Sequence, residues 1–141
     1  LYGLQTVMFR YFNVYGEGCH KTGQYAPVMS IFKKQKDNKE PLTVVEPGYQ
    51  TRDFVHVSDV VYANIIATQR DLEEYGQVFN IGTGEGTEIQ TIADLISDYQ
   101  IIIPQRSGEI MHSTANIDKV KEILGWKWSI NVIEWVRKNL K

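Results

Sequence analysis

The chain has 141 residues, 15 basic and 17 acidic, for a formal charge of -2; 43% of its residues are hydrophobic. That length fits one domain with a sufficient core, and the charge balance excludes a global pull toward nucleic acid or an anionic membrane. No apolar run approaches the ~20 residues of a membrane span, and a lone cysteine, Cys19, excludes an internal disulfide among these residues and fits a reducing, cytoplasmic compartment.

Strands rich in Val, Ile and Phe alternate with helical patterns, which predicts an α/β layered domain. Residues 5–11 read as a buried strand. Pro27 suits the first turn of a helix running toward Asn38, with Val28, Ile31 and Phe32 on one face; the Lys33-Lys34 pair reads as a solvated part of it. Residues 42–45 form a short strand, and Pro47-Gly48 marks a turn. Residues 52–57 form another strand. Ser58 is placed to cap a helix through Gln69, with Val61, Asn64, Ile65 and Thr68 along one stripe.

Residues 78–81 are the next strand. Thr87 and Gln90 form a capping-box pattern ahead of Ile89, Ile92, Ala93 and Ile96 at helical spacing. Residues 101–103 are a short strand. Asn116 is placed to cap a helix carrying Ile117, Val120 and Leu124, stopped by Gly125. A last helix covers residues 132–140.

Gly82-Thr83-Gly84-Glu85-Gly86 lies between a predicted strand and a predicted helix, as a dinucleotide fingerprint would. The spacing fails, because Thr87 stands where the third glycine belongs. The segment therefore reads as a tight turn where the backbone approaches something closely. The histidines, His20, His56 and His112, are scattered without metal-ligand spacing, and His56 reads as a satisfied strand histidine. Arg52 opens a predicted buried strand and needs an anionic partner there. Asp53, another carboxylate or a ligand phosphate would each serve, the last in fork geometry. Arg106, after Pro104, poses the same question.

Several segments carry a resemblance in order and spacing. They are Arg10-Tyr11-Phe12-Asn13-Val14-Tyr15-Gly16, residues 51–57 with Asp59-Val60, residues 79–84, Arg106-Ser107-Gly108-Glu109, and residues 117–126. Together they resemble the extended short-chain dehydrogenase/reductase family of NAD-dependent nucleotide-sugar epimerases and dehydratases, most of all the UDP-glucose 4-epimerases. The resemblance implies the C-terminal part of a Rossmann-like NAD(P)-binding fold, including the smaller substrate-binding subdomain, as one region over residues 1–141. It implies NAD as cofactor and a UDP-sugar or related nucleotide sugar as ligand. By resemblance, Asn13, Arg52 and Arg106 contact the diphosphate and Glu109 the ribose. Gln24, Tyr25 and Ile89 approach the nucleotide, Thr43 and Val45 flank the base, and Phe12 and Val14 lie near the nicotinamide. Val45 departs from an aromatic residue able to stack on uracil, and Asn116 from a frequent Asp.

The same family performs hydride chemistry with a Tyr-x-x-x-Lys pair, in which lysine tunes the phenol to act as a base. None of the eight tyrosines here has lysine four residues later, and no NAD-binding glycine loop is present. The resemblance places both upstream of Leu1, so the chain reads as a portion lacking the NAD-binding domain, without catalytic or metal-ligating residues of its own and inactive alone. A dehydratase, decarboxylase or glucuronate epimerase of the same family is the alternative, as is a stand-alone sugar-nucleotide-binding module. The apolar strands around Met8 and Phe79, expected to be parallel, would expose an edge or face and favour a homo-oligomer.

Overall fold

The computed structural model describes residues 3–19, 26–105 and 107–140. Short parallel strand pairs and helices pack around two apolar clusters, as the alternating sequence pattern leads one to expect. Strand β1 (Val7–Tyr11) pairs in parallel with β6 (Gln77–Ile81), placing Phe9 beside Phe79. Helices α2 (Val57–Gln69) and α4 (Asp118–Leu124) cover one face of this pair and close a cluster around Phe79, Ile81, Val120, Leu124 and Trp126. Strand β1 is narrower and wetter than the buried strand expected over residues 5–11, with Met8 50% exposed. Among the described residues it has one neighbouring strand and one covered face, so its alternate side chains meet solvent.

A second cluster forms around Phe32, Leu42, Val44, Ile92 and Val136. It joins α1 (Val28–Asp37), β3 (Leu42–Val45), α3 (Ile89–Ile96) and α5 (Val132–Asn139). Strand β3 pairs in parallel with β8 (Gln100–Ile103). The wall between the clusters is the parallel pair of β2 (Asn13–Tyr15) and β5 (Phe54–His56). Alternation along β5 sends Phe54 to one cluster and Val55 to the other, both buried.

The single strand expected over residues 52–57 is instead divided. Thr51 and Arg52 form β4, between β7 (Thr87–Glu88) and β9 (His112–Ser113); the chain then changes sheets at Asp53 and enters β5. Asp53 is fully buried, and its carboxylate organises that change. It accepts from the Thr83 amide at 2.7 Å and hydroxyl at 2.8 Å, from the Gly84 amide at 2.9 Å and from the Ala115 amide at 3.0 Å. This carboxylate is what the glycine turn approaches. A Cβ on Gly82 would stand 2.7 Å from Asp53 Oδ2 and 2.7 Å from the Ala115 side chain, so glycine is required there.

Several helix starts differ from the sequence reading. His56, not Ser58, caps α2, its Nδ1 accepting from the Ser58 amide at 3.2 Å. The stripe of Val61, Asn64, Ile65 and Thr68 faces outward, while Val60 and Ala63 are buried. Helix α2 is apolar on both sides, so periodicity alone does not orient it. Thr87 lies in β7 and forms no capping box. The first amides of α3, on Ile89 and Gln90, reach the carbonyls of Gln50 (3.1 Å) and Gly48 (2.9 Å) instead. Pro27 is the N-cap of α1 rather than a residue of its first turn.

The other ends agree more closely. Gly125 closes α4 with φ 66°; the N-cap of that helix is Ile117 rather than the expected Asn116, whose Oδ1 nevertheless accepts from the Asp118 amide at 3.0 Å. No helix among the described residues is long and apolar enough to cross a membrane.

Candidate functional site

The two strand pairs diverge where β1 ends, and the chain crosses between them at Phe12 and Asn13. The Phe12 amide still bonds to Ile81 O at 2.9 Å, whereas the Asn13 amide bonds to Asp53 O at 2.9 Å. Such divergence at the carboxyl ends of parallel strands opens a crevice. Here it opens a cleft of about 520 Å³.

Phe12, Asn13 and Val14 line the cleft, together with Thr43 and Val45 of β3, Ile89 of α3 and Ile103 of β8. Arg52 and Glu109 also line it. All eight of the described residues that the sequence resemblance assigned to substrate or cofactor therefore share this one cleft. Gln24, Tyr25 and Arg106, along with His20, lie outside the described residues.

The polar groups are held in defined poses. Asn13 Nδ2 donates one N–H to Asp53 O at 3.1 Å, which fixes its amide and leaves the second N–H of that nitrogen for a ligand acceptor. Thr43 is engaged through its hydroxyl and its backbone amide by the Gln35 side chain, at 2.9 and 3.1 Å. Arg52 does not pair with Asp53. Its Nη2 meets Glu109 Oε1 in a short ion pair, and its Nη1 donates to Ile110 O at 2.6 Å and Thr51 O at 2.9 Å. Of the partners weighed for Arg52, the structure supplies another carboxylate, because Asp53 is already saturated by backbone and hydroxyl donors.

The apolar end is a slot. Val45 and Ile103 are register partners across β3 and β8, and Ile89 closes beside them. Branched aliphatic side chains here can clamp a flat ring by contact area where an aromatic residue would stack on it. Sequence reasoning missed Ile103, although the parallel pairing of two alternating strands puts it on the same face as Val45. It also missed Val28 and Ile31 as cleft residues; with Phe32 they line the α1 wall. Gln50, which donates to Val45 O at 3.0 Å, carries no sequence signal of a role.

A separate apolar hollow of about 260 Å³ lies between Tyr15, Met29 and Trp135. Tyr15 donates to Ile130 O at 3.1 Å. Burial, and secondarily the Asp59 charge, push its phenol well above the ordinary tyrosine range. Glu17 borders the hollow, its carboxyl held below the usual range first by its own backbone amide, then by the Trp135 indole and by His56. His56 Nε2 lies 3.5 Å from that carboxylate. Among the described residues no group of three or more His, Cys, Asp or Glu side chains is placed to hold a metal ion.

Comparison with known proteins gives a consistent result. The profile of the NAD dependent epimerase/dehydratase family matches residues 1–82. A putative UDP-glucose 4-epimerase of Methanocaldococcus jannaschii is 37% identical over 99% of this chain and 48% of its own length. The structure of UDP-glucose 4-epimerase with UDP-glucose from Thermotoga maritima superimposes with a TM-score of 0.83 at 34% identity, over 99% of this chain and 48% of that one. UDP-glucuronic acid 4-epimerase from Bacillus cereus, in complex with UDP-glucuronic acid and NAD, gives a TM-score of 0.81 at 26% identity, over 91% and 41%. The chain thus spans about half the length of these relatives.

Proposed function

Because the chain belongs to the NAD dependent epimerase/dehydratase family, we propose that it is the part of a nucleotide-sugar 4-epimerase, of the UDP-glucose/UDP-galactose type, that anchors the nucleotide diphosphate. One observation carries this reading: the eight described residues that the family resemblance assigns to substrate or cofactor line the same cleft. Arg52 offers its guanidinium to the diphosphate, and Asn13 orients it. Glu109 accepts from ribose hydroxyls. Thr43, Val45, Ile89 and Ile103 take the base in the apolar slot. Phe12 and Val14 border the side from which the nicotinamide would approach, and their apolar and half-buried side chains suit a flat uncharged ring.

When bound, NAD supplies reversible hydride transfer. The residues here hold the substrate rather than break its bonds, since no Tyr-x-x-x-Lys pair occurs among them. A sugar that must be turned between two half-reactions is best held by its nucleotide, and a firm diphosphate anchor provides that. A glucuronate epimerase is the second reading, supported by the neighbour bound to UDP-glucuronic acid.

Calorimetric titration with UDP tests the proposal. Loss of a charge-assisted bond to phosphate should weaken binding about ten- to a hundredfold in Arg52→Ala. Arg52→Lys should recover part of it, because an ammonium lacks the fork. Equal UDP affinity in the parent chain and both variants would refute the anchor.

A further inference from the structure

The ion pair between Arg52 and Glu109 has a consequence for what the cleft admits. A guanidinium carries five N–H donors. Three are taken, by Thr51 O, Ile110 O and the Glu109 carboxylate, so two remain for a ligand. Both side chains are mostly buried, at 19% and 16% exposure, so water compensates poorly if the pair is opened.

We infer that Glu109 is a specificity residue. It guards the Arg52 guanidinium against bare anions and yields to a ligand that brings hydroxyl donors along with its phosphate. This rests on the nucleotide-sugar reading of the cleft. A free phosphate or pyrophosphate reaching Arg52 has two routes. It can share the guanidinium with a like-charged carboxylate in a half-buried place, or displace that carboxylate and leave it without a donor. Each route weakens binding. A nucleoside diphosphate differs, because its ribose diol offers two O–H donors to the displaced carboxylate. The exchange is then balanced: phosphate replaces Glu109 on Arg52, and ribose replaces Arg52 on Glu109. Selection against the wrong ligand comes from the repulsive element, and selection for the right one from the diol.

Glu109→Gln keeps the shape and removes the charge. Calorimetric titration of the whole chain with inorganic pyrophosphate, UDP and 2′,3′-dideoxy-UDP separates the two effects. Pyrophosphate should bind about tenfold tighter to Glu109→Gln than to the parent chain. The preference of the parent chain for UDP over its dideoxy analogue, about tenfold for a charge-assisted pair of bonds, should shrink toward parity. Glu109→Ala serves if the first variant melts early, with the same two directions expected. Pyrophosphate affinity that is unchanged or lower in both variants, or an unchanged preference for the diol, overturns the inference while leaving nucleotide binding intact. Absence of binding by all three ligands to the parent chain overturns the nucleotide reading itself, and this inference with it.

Discussion

The buried carboxylate of Asp53 grips Thr83 twice, through its backbone amide at 2.7 Å and its hydroxyl at 2.8 Å. Thirty residues apart in sequence, the two fix the glycine turn against the point where the chain passes from β4 to β5. Arg52, the residue just before, is thereby aimed into the cleft. Asp53→Asn replaces one acceptor oxygen with a donor that faces donors already in place. We expect a loss of about 3 kcal/mol in unfolding free energy, read by urea denaturation. Stability unchanged within error would show that the carboxylate does not organise the turn.

Tyr15 makes stability depend on pH at the alkaline end. Its folded-state pKa is raised, by burial first and the Asp59 charge second, so the unfolded chain releases this proton at lower pH than the folded one. The stabilisation is therefore complete below the unfolded tyrosine value of about 10 and is lost as pH rises through the folded value. Tyr15→Phe should flatten this alkaline decline, at a cost of about 1 kcal/mol near neutral pH for the lost hydrogen bond to Ile130. Melting curves at pH 7 and pH 10.5 check it. Parallel declines in both proteins would contradict it.

The outer stripe of α2 predicts association. Val61, Tyr62 and Ile65 are about half exposed, and Tyr11 of β1 adjoins them through hydrogen bonding with Asn64. Beside them β1 has a free edge among the described residues. Apolar surface next to an unpaired strand favours contact between copies. Light scattering should show a mass that rises with concentration, and Ile65→Glu should suppress the rise. A single-chain mass throughout would count against this.

Much of this arrangement was legible in the sequence, for physical reasons that differ by element. Helix α3 was, because Ile89, Ile92, Ala93 and Ile96 form one stripe and are all buried. Helix α2 was legible in extent but not in orientation, since its outer stripe is as apolar as its inner one. The partners of Arg52 and Asp53 were not legible. Thr83, Glu109 and Ala115 are remote in sequence and lie beside those side chains in a fold where β4 pairs with both β7 and β9. No local pattern around residue 52 encodes that pairing. Phe12, Asn13, Val14, Arg52 and Glu109 lie in recognisable motifs, whereas Ile103 is placed in the cleft only by the register of β3 against β8.

The proposed anchor requires UDP to occupy the cleft bordered by Arg52 and Val45. Titrating the isotope-labelled chain with UDP and following backbone amide resonances tests it most directly. Concerted shifts are expected at Asn13, Thr43, Val45, Arg52, Ile89 and Glu109, with one shared dissociation constant. Shifts confined to the hollow between Tyr15, Met29 and Trp135, or none at saturating UDP, would contradict it.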